Sequence, residues 1–144
     1  MIFAGQGRDD LRRAYLAAWR KFRAREPLEP LEAQIAAVIA EHPEYHAWLE
    51  AAEEAVASEF TPEGGHVNPF LHLGLHLAVR EQVATDRPPG IAAVHAALTR
   101  RLGDAHEAEH ALLEVLGETL WEAQRAGRAP DEAAYLERLR RLTA

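Results

Sequence analysis

The chain contains no cysteine, which excludes disulfides, thiolate nucleophiles and cysteine-ligated zinc or iron–sulfur sites. Any transition-metal site must therefore use histidine, glutamate or aspartate as ligands. The chain also has no basic tract, and its net charge is −7, so we expect no nucleic-acid partner. No apolar stretch approaches the roughly 20 residues of a membrane span, and the N-terminal residues lack the pattern of a signal peptide. We therefore expect a soluble, cytoplasmic protein with no membrane partner.

Lysine is almost absent as well, since Lys21 is the only one, and arginine, alanine and leucine are abundant. This bias is typical of a bacterium with a GC-rich genome. With 48% hydrophobic and 27% charged residues, the composition is that of an ordinary globular protein. A chain of 144 residues is long enough for one hydrophobic core, so we expect residues 1–144 to form a single domain.

Apolar residues recur with the 3.6-residue period of α-helices along almost the whole chain. Prolines, glycines and capping residues divide the pattern into segments. The segments, with caps included, cover about 9–25, 30–41, 44–58, 69–85, 91–102, 104–126 and 130 onward. No segment has the alternation of a β-strand. We predict an all-α fold, an antiparallel bundle of five to six helices around a buried histidine cluster, with Trp19, Leu49, Leu73, Leu77, Leu112 and Leu116 in its core.

Six of the eight histidines form three pairs with the spacing His-x-x-x-His, namely His42/His46, His72/His76 and His106/His110. Random placement would give about 0.4 such pairs. Residues four apart lie on the same face of an α-helix, so each pair can offer two imidazoles to one ion. The spacing therefore predicts a metal site.

The pair His72/His76 is the strongest candidate, because its helix is apolar nearly all round and an imidazole there must be largely desolvated. His106/His110 comes next, at the edge of an apolar face, and Glu114 extends the run by one turn as a ligand or as a partner of a ligand. His42/His46 is the weakest pair, because His42 precedes a proline and need not be helical. Each of these histidines can instead be a hydrogen-bonded core residue.

Residues 106–110 also spell His-Glu-Ala-Glu-His, which matches the H-E-x-x-H motif of zinc proteases. In that motif the first glutamate is the general base for a zinc-bound water. Such proteases hold their substrate along a strand edge, and the sequence predicts no strand. A zinc hydrolase is therefore a minor alternative.

Several strings of residues resemble the bacterial family catalogued as domain of unknown function 1841: EHPEYH at 41–46, FTPEGG at 60–65, NPFLHLGLH at 68–76 and PPGI at 88–91. That resemblance implies no activity. More loosely, histidine pairs on successive helices resemble haemerythrin-type di-iron bundles and single-metal bundles of the DinB type. His46/Glu50 and His72/His76 match the first two haemerythrin elements, but the residue five after His106 is not acidic.

Taken together, these patterns predict that the chain binds a transition metal, zinc or iron, as one or two ions. The candidate ligands are His42, His46, His72, His76, His106, His110 and Glu114. The alternative is a metal-free helical interaction module in which the histidines form buried hydrogen-bond networks. Nothing in the sequence decides whether the protein is an enzyme.

Overall fold

The structure, a computed structural model, describes residues 8–54 and 69–144. The described residues form seven α-helices and one 3₁₀ turn, and none of them forms a strand. The elements are α1 (Arg8–Arg23), α2 (Pro30–Ala40), the 3₁₀ turn (Pro43–Tyr45), α3 (His46–Glu54), α4 (Pro69–Thr85), α5 (Ile91–Leu102), α6 (Ala105–Ala126) and α7 (Glu132–Arg141). The all-α prediction is confirmed for these residues. The seven helices of the described residues exceed the five to six expected, and each corresponds to one of the seven helical segments of the sequence pattern.

No helix among the described residues is both long enough and apolar enough to cross a membrane. All six side chains that the periodicity placed in a core are buried, so that prediction is confirmed. The chain divides into two compact units, Met1–Leu77 and Ala78–Ala144, and the division falls inside α4. Each unit is described by itself, and a single domain over 1–144 stays a prediction.

In the first unit, α1 packs against α2 and α3. Its core combines the apolar faces of α1, α2, α3 and the N-terminal half of α4: Tyr15, Leu16, Ala18, Trp19, Ile35, Val38, Ile39, Leu49, Leu73 and Leu77. A capping box begins α2, in which the Glu29 amide donates to the Glu32 carboxylate at 2.9 Å. The Lys21 ammonium, 2.9 Å from the same Glu32 side chain, links α1 to α2. This packing fixes the C-terminal end of α2, where the candidate site begins.

In the second unit, α5 packs on α6, and α7 packs on both. The Asp104 carboxylate caps α6 by accepting hydrogen bonds from two backbone amides of its first turn. Gly103 and Gly127 end α5 and α6 with φ of 75° and 66°, the left-handed conformation that glycine adopts most easily. The Tyr135 hydroxyl of α7 donates to Gln82 Oε1 of α4 at 2.7 Å.

Candidate metal centre

His42 occupies the turn between α2 and α3. It has non-helical backbone angles, φ −126° and ψ 68°, because the following Pro43 disfavours the helical region at the residue before it. The side chain folds back onto the end of α2, where its Nδ1 lies 2.8 Å from the Val38 carbonyl oxygen. The ring is only 3% exposed. The turn therefore buries an imidazole at the C-terminal end of α2.

The contact with Val38 also sets the tautomer of His42. A carbonyl oxygen can only accept, so Nδ1 carries the hydrogen and donates it. In the neutral ring, the lone pair is then on Nε2. Histidines that bind metals commonly donate their other ring N–H to a backbone carbonyl, which fixes the ring and raises its basicity. His42 is thus oriented as an Nε2 ligand.

His72 and His76 extend from one face of α4, as their i, i+4 spacing predicted. Their Nε2 atoms lie 3.1 Å apart, and their ring centroids lie 4.7 Å apart. His76 is fully buried, whereas His72 is half-buried. The two Nε2 atoms can share one hydrogen, or both can direct a lone pair at one ion in its place.

Within the first unit, His42, His72 and His76 converge. One ligand nitrogen from each lies within 4.8 Å of the others. The ring of His42 meets His72 and His76 edge-on, with centroids at 5.1 and 4.6 Å. In a tetrahedral zinc site with Zn–N bonds of 2.0–2.1 Å, the nitrogens are about 3.3–3.4 Å apart. The His72–His76 distance is already close to that value, and shifts of about 1.4 Å or less would close the widest gap.

Two neighbouring residues shape this part of the unit. Gly74, between the two histidines of α4, faces α1, where an added Cβ would lie 3.3 Å from the Tyr15 hydroxyl oxygen. Glycine thus allows α4 to lie close to α1. Tyr45 stacks on His42 with centroids 5.5 Å apart and planes 4° apart, and its ring also lies 6.0 Å from His72. Burial, together with the charge of Glu44, raises the pKa of the Tyr45 phenol.

His46 lies apart from the three converging histidines. Its Nε2 donates to the Ile39 carbonyl oxygen at 2.8 Å, and its ring lies 4.5 Å from that of Trp19. The α3 register therefore directs His46 towards α1 and α2. Glu50, one turn later, is exposed and lies 3.5 Å from Arg23. Neither residue takes part in the group around His42.

The second unit carries the third pair, at the start of α6. His106 and His110 are half-buried, with ring centroids 4.3 Å apart. His110 Nδ1 donates to the His106 carbonyl oxygen at 3.1 Å, which leaves the lone pair of the neutral ring on Nε2. Glu114 and Glu107, the general base of the H-E-x-x-H reading, are exposed. Among the described residues, His106, Glu107 and Glu114 do not belong to any group of three side chains whose ligand atoms lie close enough to share a metal ion.

Sequence reasoning missed an ion pair beside His110. Arg80 Nε of α4 donates to both carboxylate oxygens of Glu109, at 2.9 and 3.1 Å, and Glu109 is only 9% exposed. The two residues lie on different helices, so no spacing within one segment could reveal the pair. The only available signal was an acidic residue at a buried position of the α6 pattern.

Comparison with known families gives one match. The model of a domain of unknown function, DUF1841, matches residues 7–141. The chain belongs to the DUF1841 family. None of the curated proteins and none of the solved structures matches it. The family description gives no function, so a proposal for this DUF1841 protein must be argued from the geometry of its histidines. The likeness to haemerythrin-type bundles stays a prediction.

Proposed function

We propose that this DUF1841 protein binds one transition-metal ion, zinc or iron, through Nε2 of His42, His72 and His76. The observation that carries the proposal is their convergence within 4.8 Å at the end of α2 and on one face of α4. Three histidines are a common ligand set for zinc, and imidazole also suits iron. No carboxylate of residues 8–54 or 69–144 belongs to the group, so we propose one ion rather than a carboxylate-bridged pair.

Burial supports the same conclusion. An imidazole away from water needs a partner for each ring nitrogen. His42 and His76 are 3% and 0% exposed, and their ring centroids lie 4.6 Å apart. A cation bound among the three rings would accept a nitrogen lone pair from each of them at once.

His110, which the sequence also predicts as a ligand, carries the lone pair of its neutral ring on Nε2 and stays a candidate ligand of the second unit. A site of three histidines keeps an open position for water.

The contact between His72 and His76 also favours one competing function. At 3.1 Å it is a good hydrogen bond between two neutral rings when one Nε2 carries a hydrogen. A metal-free interaction module would use this bond within a buried histidine network.

Titration of tag-free protein with zinc separates the two. Protein stripped of metal should bind one zinc ion per chain. Because each ligand contributes to a shared ion, His42→Ala, His72→Ala and His76→Ala should each weaken binding by at least 100-fold. The control His95→Ala should bind like the wild type, since His95 lies on α5 outside the group. Equal zinc binding by wild type and His76→Ala would overturn the proposal.

A further inference from the structure

Arg12 is a buried cation on α1. Its side chain is only 9% exposed, and its Nη2 atom is buried with no hydrogen-bond partner among the described residues. The guanidinium carbon lies 5.5 Å from the centre of the Phe70 ring. That cation–π contact is the one interaction of the guanidinium that the described part of the chain shows.

The described residues compensate the charge of this guanidinium poorly. Arginine carries five N–H donors and no acceptor, and it stays charged at every pH at which proteins fold. Transfer of such a charge out of water is strongly unfavourable unless an anion pairs with it. A cation–π contact replaces only part of the lost hydration. The position therefore favours an anion as an additional partner.

The same face of α1 holds a second buried donor without a partner. Trp19 follows Arg12 by seven residues, which is two helical turns. Its indole N–H is buried, and no group in residues 8–54 or 69–144 accepts a hydrogen bond from it. Tyr15, between them, is 3% exposed and stacks on Phe70 with centroids 5.7 Å apart. Burial raises the pKa of the Tyr15 phenol to about 12, so it is uncharged and can donate. Among the described side chains, this face is rich in donors and apolar surface and shows no carboxylate.

We propose that Arg12 binds the carboxylate of a small organic acid whose apolar part contacts Phe70 and Tyr15. The planar fork of a guanidinium matches the two oxygens of a carboxylate. A single arginine among aromatic rings suits a monoanion better than a phosphate dianion, which needs more donors and holds its water more strongly. The flat aromatic surface favours an acid with an aromatic or aliphatic body.

This site is independent of the proposed metal centre. Phe70 and His72 are two residues apart on α4, which separates them by about 200° around the helix axis. Phe70 packs on α1, whereas the ring of His72 meets that of His42. The carboxylate proposal can therefore fail while the metal proposal holds, and the reverse.

The test uses benzoate as the probe and thermal melting as the measurement, at constant ionic strength with chloride as the reference anion. Benzoate at ten times its dissociation constant should raise the melting temperature of the wild type by about 3–6 °C. Arg12→Met should lose this rise, and in chloride alone it should melt above the wild type because it removes a buried charge that no described residue pairs with. The control Arg20→Met, at an exposed position of the same helix, should keep the rise.

A second variant keeps the test decisive if Arg12→Met does not fold. Arg12→Lys retains the charge but loses the planar fork, so the dissociation constant for benzoate should increase at least tenfold. The proposal is overturned if benzoate leaves the wild-type melting temperature unchanged, or raises it equally in Arg12→Met. Stabilisation by inorganic phosphate but not by benzoate would overturn the choice of a carboxylate.

Discussion

Replacement of His76 by alanine should abolish the dependence of stability on metal. An ion that binds only the folded protein stabilises it by about 4 kcal/mol at 1,000 times its dissociation constant. For a domain of this size, that corresponds to about 8–16 °C in melting temperature. Addition of a strong chelator to zinc-loaded wild type should therefore lower the melting temperature by this amount.

The variant must be judged by the effect of chelator rather than by its absolute stability. His76 is 0% exposed, so alanine leaves a cavity that by itself costs about 2–4 kcal/mol. That loss is present with and without metal, and it cancels in the difference between the two melts. His76→Ala should show no chelator effect, and the control His95→Ala should show the full effect. A zinc-loaded wild type that melts at the same temperature with and without chelator would refute this reasoning.

Three further predictions concern the second unit. Leu112→Ala should lower the free energy of unfolding by about 2–5 kcal/mol in urea melts, because Leu112 is 0% exposed, whereas Leu102→Ala, at a 44% exposed position, should change it by less than about 0.5 kcal/mol. Asp104→Ala removes the α6 cap and should cost about 1 kcal/mol in the same assay; an unchanged midpoint would contradict the capping role. Burial raises the pKa of Tyr135 above its ordinary 10.0, so the folded state favours the protonated phenol. The contribution of this phenol to the free energy of unfolding should therefore be lost as pH rises above 10. Tyr135→Phe should flatten this alkaline loss of stability, after an offset of about 1 kcal/mol for the missing hydrogen bond to Gln82.

The sequence predicted best the elements whose ends carry local signals. Helix α4 begins at Pro69 and ends at Thr85, and α5 spans Ile91–Leu102, as the proline and glycine positions indicated. The glycines after α5 and α6 adopt the left-handed conformation that such ends require. The start of α7 lies at Glu132, two residues beyond the predicted Pro130, because Asp131 provides the cap.

The candidate site was less predictable, because it depends on turns and on contacts between elements. Spacing correctly placed His72 and His76 on one face of α4. It ranked the pair His42/His46 as the weakest, since the i, i+4 rule applies only within a helix, yet the turn before Pro43 directs His42 towards His72 and His76. The partner of His42 in sequence, His46, faces Trp19 instead. The FTPEGG string at 60–65 and the end of the helical segment predicted at 44–58 lie outside the described residues.

Anomalous diffraction from crystals of zinc-loaded, tag-free protein, measured at the zinc edge, locates the ion without any assumption about activity. One strong anomalous peak should lie about 2.0–2.1 Å from Nε2 of His42, His72 and His76. Water should complete the coordination of the ion as its fourth neighbour. Fully loaded crystals with no peak among these three rings, or with zinc only on surface side chains, would contradict the assignment of a metal centre to this DUF1841 protein.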